Sequence, residues 1–523
     1  MEKEKISISQ KGKKGIYRII FGRTAVIAIL LLIQIMILIS TYLWIREYSI
    51  FLYIAFELLG AVVVIYIINK SGNPSFKLMW IVLILIVPVF GELLYLFVKL
   101  QRDTKLIERR LEQLAIETID YCKQKQQIMN ELEEDNPEVK SLAVYMNNCG
   151  GFPIYKNTSV EYFSCGVEKF EEMKKQLELA THFIFMEYFI VEEGYMWDSI
   201  LEILKRKVMQ GVEVRFMYDG MCSLVLLPYK YPEQLKAFGI QSKMFAPIKP
   251  VLSSYQNNRD HRKILVIDGH TAFTGGINLA DEYIDRKVRF GYWKDTAIML
   301  KGDAVKSFTI MFLQMWNIDV KTKEDYERYL HVSQVKFPST GDGYVMPYAD
   351  SPLDDEQIGA SVYMDILYTA KRYVHIMTPY LILDNELMTA LTYTAKRGVE
   401  VIIMMPHIPD KWYAFMVAKT YYAELIEAGI QIYEFTPGFI HAKSFTSDDE
   451  KAVVGTINLD YRSLYLHFEC AAYMYKNKEI KRIEEDFQKT LLQCQKISLF
   501  DCNQQNIFKN LAGKLLRILA PLM

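Results

Sequence analysis

The sequence predicts an α/β protein in which an N-terminal membrane segment precedes two related domains, each with a mixed, mostly parallel sheet flanked by helices. Three observations lead to this prediction. A pattern of His, Lys, Asp, Gly and Asn occurs twice, strand–helix–strand patterns recur beside it, and three long apolar runs precede both copies. A repeat of this size indicates two copies of one structural unit. We expect the two copies to be related by a pseudo-twofold axis.

The composition limits the classes of function. The chain has 523 residues, which is enough for a membrane segment and two packed domains. Its 61 Lys and Arg balance 62 Asp and Glu, so the basic excess of a nucleic-acid-binding protein is missing. The seven Cys are scattered without a Cys-x-x-Cys pair, which favours reduced thiols and argues against a zinc site. The oligomeric state stays open.

The first hundred residues predict attachment to the cell membrane. A basic tail, 1–23, argues for a cytoplasmic N-terminus. The first two apolar runs of segment 24–98 are long enough to cross a bilayer. Pro88 and Gly91 interrupt the third run, and a re-entrant bend there would keep the following cations inside. We expect a multi-pass protein with the catalytic domains on the cytoplasmic side. The three runs are 24–45, 50–68 and 78–98.

The rest of the chain divides by composition and periodicity. Alternating strand and helix patterns of this kind favour sheets with helices on both faces. The predicted strand–helix–strand units are 183–188, 198–209 and 212–218 in the first half, and 373–377, 386–396 and 399–405 in the second. The predicted parts are a charged helical linker 99–140, a first domain 141–335, a second domain 336–500 and a C-terminal amphipathic helix 501–523.

The C-terminal helix has two readings. Large apolar side chains between residues 507 and 519 lie on one helical side, with Lys509, Lys514 and Arg517 among them. Such a helix can lie in the membrane interface. It can also pack its apolar side on the preceding domain.

The repeated motif carries the chemistry. His261, Lys263 and Asp268 form His-x-Lys-x4-Asp, and Gly275 and Asn278 follow. In a strand, residues two apart share a face, so His261 and Lys263 should point the same way. Two such matches among eight His are not a coincidence of common residues. The same pattern recurs 180 residues later (441 minus 261) as His441, Lys443, Asp448, Gly455 and Asn458.

These residue types suit the handling of a phosphate ester. A neutral imidazole is a nucleophile and a proton carrier near neutral pH. Two Lys and two Asn that converge would bind the phosphate oxygens, namely Lys263, Lys443, Asn278 and Asn458. One His would attack phosphorus while the other moves protons, without a metal or cofactor. We expect Asp268 and Asp448 to shape the site through buried hydrogen bonds. The residues alone do not assign the nucleophile.

The motif resembles the signature of the phospholipase D superfamily, and the rest of the chain is similar to bacterial cardiolipin synthases. The chain departs from the usual pattern of that family at His467, where Asn is usual, at Lys294, where Arg is usual, and at Cys222, where Gly is usual. The further matching stretches are Pro88-Val89-Phe90-Gly91 with Tyr95, Glu187-Tyr188, Tyr218-Asp219-Gly220, Asn458 to Ser463, and the end Pro521-Leu522-Met523.

The resemblance implies phosphatidyl transfer between two phosphatidylglycerol molecules, which gives cardiolipin and glycerol. It implies that His261 is the nucleophile and that His441 is the acid and base. Glu187 and Glu469 would support them, and the partners would be phosphatidylglycerol and membrane lipids. Hydrolysis of the lipid, or another alcohol acceptor, would use the same residues. A membrane-bound nuclease and a non-catalytic scaffold are less well supported, because of the neutral charge balance and the two intact motifs.

Overall fold

The computed structural model describes residues 50–87, 90–99, 102–222, 226–247, 257–320, 322–330, 343–504 and 506–522, with a few scattered positions between 32 and 44. The described helices are α1 (Ile50–Asn69), α2 (Pro74–Ile86), α3 (Phe90–Lys99), α4 (Arg102–Thr118), α5 (Gln126–Asp135), α6 (Pro137–Gly150), α7 (Gly166–Leu179), α8 (Tyr195–Met209), α9 (Tyr231–Ala237), α10 (Val305–Trp316), α11 (Glu327–Leu330), α12 (Ile358–Thr369), α13 (Asn385–Lys396), α14 (Trp412–Glu427), α15 (Tyr461–Tyr465), α16 (Glu479–Leu491), α17 (Leu499–Asn503) and α18 (Ile507–Leu516), with 3-10 turns at Ile119–Tyr121, Asp281–Ile284 and Arg517–Leu522.

The strands form two large sheets and one short pair. The strands are β1 (Thr158–Phe163), β2 (Phe183–Tyr188), β3 (Glu213–Asp219), β4 (Gln241–Phe245), β5 (Arg259–Asp260), β6 (Ile264–Ile267), β7 (Thr271–Gly275), β8 (Tyr292–Lys294), β9 (Ala297–Gly302), β10 (Tyr344–Asp350), β11 (Tyr373–Met377), β12 (Glu400–Pro406), β13 (Gln431–Phe435), β14 (Gly438–Ile440), β15 (Ser444–Ser447), β16 (Lys451–Gly455), β17 (His467–Tyr475) and β18 (Cys494–Ile497).

The two sheets have the same strand order, which confirms the internal repeat. The first runs β1-β9-β7-β6-β2-β3-β4, and the second runs β10-β17-β16-β15-β11-β12-β13 with β18 added at its edge. The sheets face each other over a shared core, in which Phe185 and Val266 of the first half join Ala452 and Phe468 of the second. Helices cover the outer faces. The fold is therefore a mixed α/β fold with two similar halves.

The prediction of mostly parallel sheets is wrong. Only β2-β3-β4 and β11-β12-β13 are parallel runs, and their connections contain the helices that parallel pairing requires. Apart from the short parallel pair of β5 with β17, the other pairs described within the two sheets are antiparallel. Three-residue turns at 268–270 and 448–450 join β6 to β7 and β15 to β16. Turns this short can only reverse the chain, so they impose antiparallel pairing.

The N-terminal helices pack on one another and on the second half. Gly91 lies so close to the backbone of Ile84 that a methyl group at Gly91 would come within 2.8 Å of the Ile84 Cα, so α2 and α3 are in close contact. The side-chain amide of Asn73 donates to the Tyr465 hydroxyl at 2.9 Å, and the Tyr461 hydroxyl donates to Ser75 Oγ at 2.8 Å. The start of α2 is therefore fixed to α15.

The predicted membrane spans are not found in the part of the chain that the structure describes. Apart from scattered positions, the first apolar run lies outside that part, as do Pro88 and Val89 of the predicted bend. The second and third runs correspond to α1, α2 and α3. Of the helices described, none combines the length and the apolar character needed to cross a bilayer.

The C-terminal helix α18 packs on the second half through its smallest residue. Gly513 lies against Met416 of α14, where a methyl group would come within 2.9 Å of the Met416 carbonyl oxygen. The large apolar side chains point away from this contact: Ile507 is 76% exposed and Phe508 is 78% exposed. The helix packs on the domain and still presents apolar side chains outward.

Asp268 and Asp448 fix the edge of each repeat. The Asp268 carboxylate accepts hydrogen bonds from the backbone amides of Thr181, His182 and Phe183, each at 2.8 Å, and from the Thr181 hydroxyl. Asp448 accepts bonds from the three equivalent amides of residues 371–373. Each aspartate therefore ties the turn after its motif to the start of the neighbouring strand, β2 or β11.

We expect Asp268→Ala to lower the free energy of unfolding by about 3 kcal/mol, because the buried amide of Phe183 and the partly buried amides of Thr181 and His182 lose their acceptor. Asp448→Ala should cost less, since the amides of Lys371 and Arg372 are exposed to water. Thermal and denaturant unfolding of the full chain measure both changes. The exposed Asp198→Ala is the control, and an equal loss in Asp268→Ala and Asp198→Ala would contradict the assignment.

Candidate active site

The histidines and asparagines of the two motif copies meet at one cavity between the halves, and the motif lysines are not among its lining residues. The cavity has a volume of about 690 Å³, and its lining includes His261, His441, Asn278 and Asn458. Asp268 and Asp448 are not among the lining residues, because they bond to the backbone at the start of β2 and β11. The structure thus brings together four of the motif side chains at one surface and keeps the two aspartates away from it.

His261 is held by both halves of the protein. It lies between β5 and β6 rather than inside a strand, which corrects the expectation that His261 and Lys263 alternate along one strand. Its backbone N–H donates to the Phe468 carbonyl at 2.9 Å, beside the parallel pair of β5 and β17. Its Nδ1 lies 2.9 Å from both carboxylate oxygens of Glu469.

β5 is in turn anchored by a turn that the sequence analysis singled out. Asp219, the middle residue of Tyr218-Asp219-Gly220, accepts a hydrogen bond from the Asp260 amide at 3.0 Å. Its other oxygen accepts from the Met221 amide at 2.8 Å. Asp219 therefore fixes the residue immediately before His261.

His441 has the mirror arrangement. Its backbone N–H donates to the Lys294 carbonyl at 2.7 Å, beside the parallel pair of β8 and β14. Its Nδ1 lies 2.7 Å from Asp295 Oδ2. The other carboxylate oxygen of Asp295 accepts a bond from the Thr296 amide at 2.8 Å.

Each half thus supplies the carboxylate that orients the histidine of the other half. A carboxylate on Nδ1 keeps the proton there and leaves the Nε2 lone pair free. Glu469 was predicted to support the site, but Asp295 was not. A signal existed, since Trp293-Lys294-Asp295 and His467-Phe468-Glu469 both place an acid two residues after an aromatic ring.

Glu187, the other residue predicted to support the site, contacts an arginine of the first motif. Its carboxylate is buried and pairs with Arg262 at 2.7 Å, and Arg262 also lies 3.3 Å from Asp260. Burial raises the pKa of Glu187 well above its usual value. This pair lies behind the motif, so any support that Glu187 gives to His261 passes through Arg262 and the backbone.

The two motif lysines are buried, and both bond to the motif itself. Lys263 Nζ donates to the carbonyl of His261 at 2.5 Å, and Lys443 Nζ donates to the carbonyl of His441. Burial lowers the pKa of Lys263 to about 8 and that of Lys443 to about 7. The positive charge beneath the cavity therefore depends on pH within the physiological range.

The asparagines are also held in place. Asn278 accepts from the Ile190 amide at 3.0 Å and donates to the Tyr283 hydroxyl at 2.7 Å. Asn458 donates to Ser463 Oγ at 2.9 Å. Both amides are thus oriented at the cavity wall before any ligand binds.

Burial also sets the protonation of the histidines. It lowers the pKa of His441 to about 4, and Lys443 acts in the same direction. Burial and the Lys263 charge lower the pKa of His261 well below its usual value. Both imidazoles are neutral near pH 7 in the empty cavity. An anion bound beside them would favour the protonated form of either ring.

The two halves differ at the residue after the motif glycine. A methyl group on Gly276 would come within 2.0 Å of Asp295 Oδ1, so this position must be Gly for Asp295 to reach His441. In the second half the equivalent Thr456 donates its hydroxyl to Glu469. The lining also includes cationic, acidic and aromatic side chains, namely Arg259, Arg289, Arg462, Lys411, Asp410, Asp460, Phe290 and Tyr380.

The chain matches sequence profiles of two described families. Residues 173–316 and 363–491 match "Cardiolipin synthase, PLD-like domain", so both halves are covered. Residues 58–99 match "Phospholipase_D-nuclease N-terminal".

Several proteins are similar over most of their length. An uncharacterised protein of Streptococcus mutans is 50% identical over 460 residues, which is 88% of this chain and 99% of that protein. A cardiolipin synthase of Halalkalibacterium halodurans is 32% identical over 477 residues, 90% of this chain and 94% of the relative. The crystal structure of phosphatidylserine synthase from Haemophilus influenzae matches with a TM-score of 0.57 and 14% identity, and covers 74% of this chain and 100% of that one. This last likeness concerns the fold.

We expect the affinity of the cavity for sulfate to fall as pH rises from 6 to 9. Lys443 and Lys263 have lowered pKa values, of about 7 and about 8, so each loses its positive charge as pH rises through that value. The affinity should fall by at most about tenfold per pH unit for each lysine that titrates. Sulfate keeps its charge over this range, and calorimetric titration measures its binding.

Lys443→Gln is the matched control for this pH dependence. It should bind sulfate weakly at pH 6 and show a flatter profile, because one of the two titrating charges is gone. Constant affinity from pH 6 to 9 in the unsubstituted chain would contradict the assigned shifts.

Proposed function

Because the chain belongs to the cardiolipin synthase family of PLD-like domain proteins, we propose that it joins two phosphatidylglycerol molecules into cardiolipin and releases glycerol. One observation carries the proposal: His261 and His441 line the same cavity, and each is oriented by a carboxylate from the opposite half. Two oriented imidazoles at one phosphate suit a double displacement, in which one attacks and the other moves the proton.

In the proposed first step, Nε2 of His261 attacks the phosphorus of one phosphatidylglycerol. A phosphorus–nitrogen bond forms, the bond to the glycerol oxygen breaks, and His441 gives its proton to that oxygen. His441 is neutral in the empty cavity, so it must gain this proton as the anionic lipid binds. The product of the step is a phosphatidyl-histidine and free glycerol.

In the proposed second step, neutral His441 removes a proton from a hydroxyl of the second phosphatidylglycerol. The resulting alkoxide attacks phosphorus, and the phosphorus–nitrogen bond to His261 breaks. His441 ends protonated, as it began, so the proton balance closes over one turnover. Lys263, Lys443, Asn278 and Asn458 would stabilise the charge on the phosphate oxygens in both transition states.

The acceptor decides between this reaction and its alternatives. Water as the acceptor would make the protein a hydrolytic phospholipase D, and another alcohol would give a different phospholipid. The lining cation Arg462 would favour an acceptor that carries its own phosphate, as a second phosphatidylglycerol does.

We also propose that the enzyme works at a membrane surface. α2 is fixed to α15, which directly follows Asn458 and Asp460 of the cavity, so the N-terminal segment and the cavity are neighbours. Leu522, next to the C-terminal helix, lines the cavity as well. The multi-pass topology and the cytoplasmic side remain predictions of the sequence.

We expect His261→Ala and His441→Ala each to lower the rate of cardiolipin formation by about a thousandfold or more. With radiolabelled phosphatidylglycerol and rapid denaturation, a lipid adduct should form on the unsubstituted chain and be absent from His261→Ala. His407, which lies outside the cavity lining, is the control, and His407→Ala should keep the normal rate.

Lipid analysis of the same reactions tests the acceptor. A labelled adduct in His261→Ala would contradict the assignment of the nucleophile. Phosphatidic acid as the main product from phosphatidylglycerol alone would favour the hydrolytic alternative.

We expect Phe508→Ser combined with Leu511→Ser to lower turnover of phosphatidylglycerol in vesicles while preserving turnover of a short-chain analogue in detergent. Both side chains are exposed on α18 and would insert among lipid head groups. The control replaces Met209 and Leu492, which are equally exposed elsewhere. Equal losses with both substrates would argue for damage to the fold instead.

A further inference from the structure

His467 lies beside His261 with no evident use for its ring nitrogens. The ring centroids of His261 and His467 are 5.4 Å apart, and His467 is only 7% exposed. Within the residues that the structure describes, neither Nδ1 nor Nε2 of His467 has a hydrogen-bond partner. Most buried polar side-chain atoms do have one. An imidazole in this state is available as a metal ligand.

Glu469 completes a set of three possible ligands. Its Oε1 lies 2.9 Å from His261 Nδ1 and 3.7 Å from His467 Nδ1, while its Oε2 is held by the Thr456 hydroxyl. The three ligand atoms lie within 4.8 Å of one another, and all three residues are buried. In the described ranges, no other group of three His, Cys, Asp or Glu comes this close.

We propose that His261, His467 and Glu469 bind a divalent transition-metal ion such as Zn²⁺, and that the bound ion inhibits the enzyme. Two imidazoles and one carboxylate form a known zinc-ligand set that leaves a fourth position open. Imidazole nitrogens favour Zn²⁺ and its first-row neighbours over Mg²⁺ and Ca²⁺, which prefer oxygen ligands alone.

The inhibition follows from the two nitrogens of His261. Without metal, Nδ1 keeps its proton against Glu469, and the Nε2 lone pair is free to attack phosphorus. A metal ion on Nδ1 takes the lone pair of that nitrogen, so the single proton of the neutral ring must sit on Nε2. Nε2 then has no lone pair for the attack, and Glu469 is occupied by the metal as well.

Beside His441, the described residues include no equivalent group of three ligands. Trp293 precedes Asp295 by two residues, as His467 precedes Glu469, and the Trp293 ring lies 5.4 Å from that of His441. An indole offers no lone pair to a metal. His441 and Asp295 therefore make the same imidazole–carboxylate contact as His261 and Glu469, but Trp293 cannot act as the third metal ligand there. This pair is the internal comparison for the proposed site.

The binding part of this proposal stands on the three side chains alone, whereas the inhibition rests on the proposed role of His261. Co²⁺, whose absorption reports its coordination, tests the binding on the full chain after treatment with a chelator. We expect one equivalent to bind. His441→Ala should bind Co²⁺ as the unsubstituted chain does, and His467→Asn should bind it roughly tenfold or more weakly. Equal binding by His467→Asn, or no binding by the unsubstituted chain, would overturn the site.

Zn²⁺ inhibition of cardiolipin formation tests the second part. Each protein is compared with its own rate after chelation, so a change in the basal rate of a variant does not affect the result. The Zn²⁺ concentration for half inhibition should rise roughly tenfold or more in His467→Asn. If Co²⁺ binds as expected but Zn²⁺ leaves the rate unchanged, the inhibitory role and the assignment of His261 as nucleophile are both overturned, while the metal site stands.

Discussion

Each half supplies the carboxylate that orients the histidine of the other half, and the rest of the structure depends on this constraint. Glu469 must reach His261 and Asp295 must reach His441, so the halves have to meet at two separate points with hydrogen-bond accuracy. Short parallel pairs of strands, β5 with β17 and β8 with β14, bring the backbones together at these points. The shared core between the two sheets holds them there, because a small shift of one sheet would break both contacts.

Burial sets the protonation states of the motif lysines and histidines, and these states change when an anion binds. Burial lowers the affinity of the motif lysines and of the motif imidazoles for protons. The empty cavity is therefore less positively charged than its residues suggest. In the proposed mechanism, an anionic lipid that enters the cavity would favour the protonated forms, so lipid binding and proton uptake would be coupled.

The sequence predicted the repeat, the motif residues and the mixed α/β class, because each of these shows in local spacing. It did not predict strand direction correctly, since the short turns after Asp268 and Asp448 outweigh the strand–helix–strand pattern that favoured parallel pairing. Asp295 was missed, and Glu469 entered only through resemblance, because the contacts span 146 and 208 residues. The group of His261, His467 and Glu469 was missed for the same reason, because His261 lies 208 residues from Glu469 in the sequence.

The reciprocal contacts have a consequence for how the two halves can evolve. A chain with only one half would hold its histidine without the orienting carboxylate, and it would need a second copy to complete the arrangement. In a dimer of two identical copies, every substitution would appear in both subunits. Fusion in one chain removes that requirement. The halves here differ at equivalent positions: Gly276 corresponds to Thr456, and Trp293 corresponds to His467. In the proposed mechanism, this divergence would let His261 form the bond to phosphorus while His441 transfers the proton. The halves nevertheless remain dependent on each other. A substitution at Asp295 acts on His441, and a substitution at Glu469 acts on His261, so each affects the histidine of the opposite half.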